Sequence, residues 1–160
     1  MQEPDVNRIL DAIEAESFLN PTFIASGHGT VADVLGSTPE VQALLDGKNT
    51  SLPIMRARYR GQDARMADAA RLVYFVVFGL ASDRQMIKDI TSGLRRYRGL
   101  PISTLMSPWH PFLHGAKALE QITGSEIHAP VRSVSDKEFD EFLSRVEEWA
   151  KTHRDGERQK

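Results

Sequence analysis

Val6, Ile9, Leu10 and Ile13 recur at the i, i+3, i+4, i+7 spacing that lines one face of a helix. With Pro4 suited to a first turn and Asn20-Pro21 to a stop, they predict a helix over about 4–19. A loop holding Ser26-Gly27-His28-Gly29 follows, then a short helical stretch near 31–35. Thr38 as N-cap and Pro39 at the first helical position open a further helix, which Gly47 is placed to close in a left-handed conformation. From about 62 to 81 one side carries Met66, Ala69, Ala70, Val73, Tyr74, Val77 and Leu80. Leu72, Phe75, Val76 and Phe78 fill the other side. A helix apolar all round is buried all round, so this is the expected central helix. A buried strand over Leu72–Phe78 is the alternative.

Residues 48–61 carry conflicting signals. Leu52-Pro53-Ile54-Met55 favours extended backbone, because a residue preceding proline avoids the helical region; loop, strand and helix all stay open there. Ser82 with Gln85 has capping-box form and predicts a helix to about Arg98, ended by Gly99 and Pro101. After a loop with Pro101, Pro108 and Pro111 comes a helix over about 111–122, closed by Gly124. Ser135 and Glu138 cap a last helix whose Phe139, Phe142, Leu143, Val146, Trp149 and Ala150 share a face. The expected fold is therefore all-α: a compact helical bundle of about five to seven helices around a buried central helix. It forms a single domain over 1–153, with a polar, frayed tail over 154–160.

The sequence has no cysteine, which removes disulfides, thiolate metal sites and cysteine nucleophiles from consideration. The start, MQEPDVNRIL, lacks the basic-then-apolar form of a secretory signal. The apolar run Leu72–Ala81 is about half the roughly 20 residues that a membrane span requires. Both features predict a cytoplasmic chain without a membrane partner. Net charge is −2 but unevenly spread: −6 over residues 1–50, +6 over 51–100 and −2 over 101–160. Such asymmetry can generate a local positive field inside a near-neutral whole.

The charge concentrates on the helix predicted over 83–98. At 100° per residue, Arg84, Lys88, Thr91, Arg95 and Arg98 fall within an arc of about 80°, beside an apolar face of Met86, Ile90, Leu94 and Tyr97. A second cluster is Arg56-Ala57-Arg58-Tyr59-Arg60. If it is a loop, its arginines can grip backbone phosphates while the Tyr59 ring stacks on a base. Arginine suits this use because its planar fork matches phosphate oxygens in pairs. Two other readings compete: an ordinary solvated face, and a docking surface for the acidic first fifty residues of another copy.

Other constellations say less. His110 and His114 have the i, i+4 spacing of a metal pair, but Pro111 intervenes and no third ligand is evident; His110 also suits an N-cap. Ser26-Gly27-His28-Gly29-Thr30 with Asp33 contains hydrolase residue types without a nucleophile turn or a P-loop ending. Trp109 and Phe112 are read as anchors to the core or as a protein-contact patch.

In length, in its near-all-helical pattern and in the Arg84/Lys88/Arg95/Arg98 stripe, the chain resembles the small helical subunit of multi-subunit CRISPR effector complexes. The resemblance implies a role in antiviral defence, in subunits that stack along an assembly and hold nucleic-acid backbone on basic surfaces. The functional expectation is a non-enzymatic subunit, with no cofactor, of a larger ribonucleoprotein complex. It contacts sugar-phosphate backbone (RNA or single-stranded DNA) without sequence preference, alongside other protein subunits and copies of itself. A helical adaptor or oligomerisation module is the alternative, and a small metal-dependent enzyme using His110 and His114 the third reading.

Overall fold

The computed structural model describes residues 2–15, 31–105, 107–130 and 135–158. They form helices and connections, with no strand among them: α1 Glu3–Glu14, α2 Val31–Gly36, α3 Pro39–Asp46, α4 Lys48–Gln62, α5 Asp68–Leu80, α6 Ile87–Arg95, α7 Ile102–Leu105, α8 Pro111–Ile122 and α9 Asp136–Arg158. Seven of these nine helices have eight residues or more. A 3-10 turn, Arg84–Met86, leads into α6. The Ser26–Thr30 loop lies outside the described residues, as does the part of the first predicted helix beyond residue 15.

The expected central helix is α5. Every residue from Ala70 to Gly79 is buried, and the run Leu72–Phe78 is helix rather than strand. It lies along α8, its most extensive partner, and also meets α1, α2, α3 and α4. Small residues let the two axes approach. A Cβ on Gly79 would stand 2.8 Å from the Ala118 Cα, and one on Gly115 would stand 2.9 Å from the Phe75 ring, so neither position accepts a side chain without displacement.

One member of the buried run Ala70–Gly79 is charged. Arg71 is fully buried, with Nη1 donating to Asp63 Oδ1 (2.5 Å) and to the Tyr59 hydroxyl (2.9 Å), and Nη2 donating to the Asp63 carbonyl (2.5 Å). Arg96 reaches the same Asp63 carboxylate at 3.3 Å. From Ala70 to Gly79 the central helix is therefore apolar all round except for an arginine that fastens it to the end of α4.

Residues 48–62 resolve as helix, with Pro53 inside it. An interior proline costs about 3 kcal/mol. Helix geometry, however, brings Leu52, Met55 and Tyr59 onto the core side, where each buried side chain gains about 1.5–3 kcal/mol. The burial outweighs the proline, and the extended alternative would turn part of that set to solvent.

Several caps follow the sequence. The Thr38 hydroxyl accepts from the Val41 amide, His110 Nδ1 accepts from the Phe112 amide (3.0 Å), and the Ser135 hydroxyl accepts from the Glu138 amide (3.2 Å). Gly99 and Gly124 take positive φ after their helices, a region that favours glycine. Two assignments need correction. Gly47 has φ −99°, because α4 begins at the next residue and the chain turns without a left-handed cap. Ser82 is not the cap of the next helical segment: it sits at φ +50°, and Asp83 accepts from the Gln85 amide in its place. The last helix continues to Arg158, past the expected start of fraying. No helix among the described residues is long and apolar enough to cross a membrane.

Candidate nucleic-acid interface

The basic cluster of α4 is paired with carboxylates of neighbouring elements, Arg56 and Arg58 partly buried and Arg60 at the surface. Arg56 makes a fork-to-fork pair with Asp83, Nε to Oδ2 at 2.9 Å and Nη2 to Oδ1 at 3.1 Å, and the Asp83 side chain is nearly inaccessible. Arg58 bonds Asp11 and stands 3.0 Å from Glu14, both on α1. Burial pulls the Arg58 pKa down, but the Asp11 hydrogen bond and the Glu14 charge outweigh it, so the net shift is upward. Arg60 reaches Asp89 at 3.1 Å and the Gln85 carbonyl at 3.3 Å. These pairs fix α4 to α1 and to the start of α6.

Tyr59 is 1% exposed. Its ring lies among Tyr74, Phe75 and Phe78, with centroids 5.8–6.2 Å away, and burial drives its hydroxyl pKa well above the ordinary value. It cannot stack on a nucleic-acid base. The stacking role expected of it fails because residues 52–60 form a helix, which turns Tyr59 to the same side as Met55.

The stripe on α6 divides. At its far end the Arg98 fork holds Asp140 (2.9 and 3.0 Å), with Asp136 at 3.5 Å, and Arg95 bonds Glu147; all three carboxylates belong to α9. The Thr91 hydroxyl is buried and donates to the Lys88 carbonyl. At the near end Lys88 is exposed and has no carboxylate within ion-pair distance among the described residues. The Arg84 guanidinium lies 5.3 Å from the centre of the Trp149 ring.

That near end borders a groove of about 440 Å3. Arg84, Gln85, Ile87 and Lys88 form one wall; Glu147, Trp149, Ala150, Lys151 and His153 form the other. The His153 ring stacks on the indole at 3.8 Å, and the indole N–H donates to Glu126. Among the described residues Lys151 makes a solvent-exposed contact with Glu148, the weakest kind of ion pair. Among the described residues, the one carboxylate lining the groove, Glu147, already faces Arg95. Trp149 reads as core because it belongs to the Phe139–Ala150 stripe, and Lys151 and His153 carry no local sequence signal for this role.

The histidine pair has structural work instead of ligands. His110 Nδ1 is taken up by its cap, and His114 Nε2–H donates to the Pro108 carbonyl at 2.6 Å. Burial lowers the pKa of both. Among the described residues no three His, Asp or Glu side chains gather in a metal-holding group. Phe112 is wholly buried and stacks on Phe139, whereas Trp109 is 40% exposed, so only the first anchors its loop to the core.

The chain matches no protein-family model, no curated protein and no solved structure.

Proposed function

We propose that the chain is a non-enzymatic helical subunit of a cytoplasmic ribonucleoprotein assembly. It contacts nucleic-acid backbone (RNA or single-stranded DNA) without reading sequence, through the groove between the start of α6 and the end of α9. The observation that carries this reading is Lys88. Its ammonium group has no carboxylate within ion-pair distance among the described residues, and it shares one groove with Arg84, Lys151 and His153. Cations lining a concavity are the electrostatic footprint of a phosphate binder, and phosphate contacts supply affinity without sequence information. Arg95, Arg98 and the α4 arginines drop out of the contact set, because each already spends its donors on a carboxylate. A net charge of −2 makes such a site weak alone; repetition along an assembly lets several copies sum.

The test is a salt titration of binding to a single-stranded oligonucleotide. Three phosphate contacts give a log–log slope near about −2. Lys88→Glu with Lys151→Glu abolishes binding on this reading, and equal binding by wild type and variant, in the chain or in its assembly, refutes it. The adaptor reading keeps one observation of its own: Leu100 and Trp109 expose large apolar surface on the α6–α8 connection, 39% and 40% respectively. Concentration-dependent size without polyanion affinity would favour it.

A further inference from the structure

The α9 wall of the groove carries an aromatic pair as well as a cation. The His153 ring stacks on the Trp149 indole, with centroids 3.8 Å apart and planes inclined by 13°. Both ring nitrogens are held as well. Nδ1 lies 2.8 Å from the Trp149 carbonyl, an oxygen that can only accept, so Nδ1 carries the hydrogen. Nε2 lies 3.5 Å from Glu126 Oε2, the same carboxylate oxygen that accepts the indole N–H. The connection between α8 and α9 thus clips the aromatic pair through one side chain. The indole is engaged twice, by this ring and by the Arg84 guanidinium 5.3 Å from its centre. Among the described residues the indole is the one ring that His153 meets, and the His153 side chain lines the groove with 38% of its surface exposed.

We infer that the His153 ring is a stacking platform for one unpaired base of the strand whose phosphates meet Lys88 and Lys151. The inference rests on the reading of this groove as a backbone contact and assigns a place to the base as well. An imidazole held at both nitrogens and backed by an indole has little freedom left to lose when a base covers it, so the contact costs little ordering. Every base has a π face, so stacking adds affinity without adding sequence preference. It does add a preference for strand state. A base inside a duplex has neighbours on both faces, whereas an unpaired nucleotide can be splayed out onto an aromatic ring. The two lysines supply charge and no such discrimination. The groove, about 440 Å3, falls in the range of sites that enclose a drug-sized molecule, which suits one nucleotide. Ile87 and Ala150 give its lining an apolar part on which the rest of that nucleotide can lie.

Hexauridylate and a hexamer of abasic ribose phosphates carry the same charge, so comparing them isolates the base. Binding of both is measured against salt for wild type, His153→Ala, His153→Phe and Lys88→Ala. Wild type should bind hexauridylate about fivefold more tightly than the abasic strand. His153→Ala should remove that advantage and leave the salt slope and the abasic affinity unchanged. His153→Phe keeps an aromatic plane without ring nitrogens and should retain the advantage. Lys88→Ala should lower the slope by about 0.7 on both ligands. If His153→Ala weakens both ligands equally, the ring is a prop for the groove wall and the platform is overturned. A His153→Phe variant as weak as His153→Ala also overturns it, since charge or hydrogen bonding would then carry the effect. If His153→Ala changes nothing while Lys88→Ala weakens both ligands, the platform falls and the backbone contact stands. If no variant changes either affinity, the backbone contact falls with it. Unchanged urea midpoints confirm that the variants remain folded.

Discussion

The two ends of one basic stripe meet opposite fates. Toward its end α6 runs beside α9, and Asp136, Asp140 and Glu147 close on Arg98 and Arg95. At its start Lys88 meets solvent and a groove. Both ends look alike along the sequence, because periodicity records which face a cation occupies and nothing about what stands opposite. The residue types explain part of the outcome. An arginine fork fits a carboxylate as well as it fits a phosphate, so a run of arginines predicts paired anions of either kind. Here the carboxylates come from α1, from α9, from the end of α4, from the turn before α6 and from α6 itself, and the +6 of the middle third is largely compensated within the fold.

The strongest way to press this contrast is at the most enclosed cation. Asp63→Asn leaves Arg71 buried without its counter-charge and should cost about 3 kcal/mol, read as a lower urea midpoint at unchanged slope. No exposed cation of the groove should behave this way. Lys88→Ala with Lys151→Ala should stay within about 0.5 kcal/mol of wild type in stability. The same pair should reduce the salt slope of single-strand binding by about 1.4. Arg98→Ala should leave that slope where it was.

The contrast can also be erased. Glu147→Gln releases Arg95 and removes the carboxylate that lines the groove among the described residues, so it should steepen the slope by about 0.7 and tighten binding. Unaltered binding by this variant would mean that Arg95 cannot reach the ligand.

Smaller effects should appear with pH. Burial depresses the pKa of His114 and His110, so the fold prefers them neutral while the unfolded chain titrates near the ordinary value. Stability is therefore complete above about pH 6.5 and is lost as pH falls toward the depressed values. Urea midpoints at pH 7.5 and 5.5 should differ in that direction, and His114→Gln, which retains a donor for Pro108, should flatten the difference. The smallest effect belongs to Asp140. The Arg98 hydrogen bond holds its pKa below the usual carboxylate value, so its contribution is present above that value and disappears as pH falls through the lowered one. Carboxyl chemical shifts in wild type and Arg98→Ala would register it.

Much of the architecture was legible because its signals are local. Thr38-Pro39, His110-Pro111 and Ser135 with Glu138 cap their helices through groups at most three residues away. The α5 run and the Phe139–Val146 face are buried as their spacing requires. Residues 48–62 were not legible. Local proline chemistry argues against helix there, and only the core that receives Leu52, Met55 and Tyr59 reverses the balance. Arg71 escaped notice for a related reason: its partner Asp63 lies eight residues away, beyond a helix end.

The chain's own order of residues determined an all-α bundle, its central helix and the faces on which cations stand, since these follow from backbone periodicity and neighbouring side chains. Which cations remain available was decided only when α1 and α9 brought their carboxylates across distances of 42 to 52 residues. Ion pairing falls off within a few ångströms, so it depends on the folded neighbourhood and not on position along the chain.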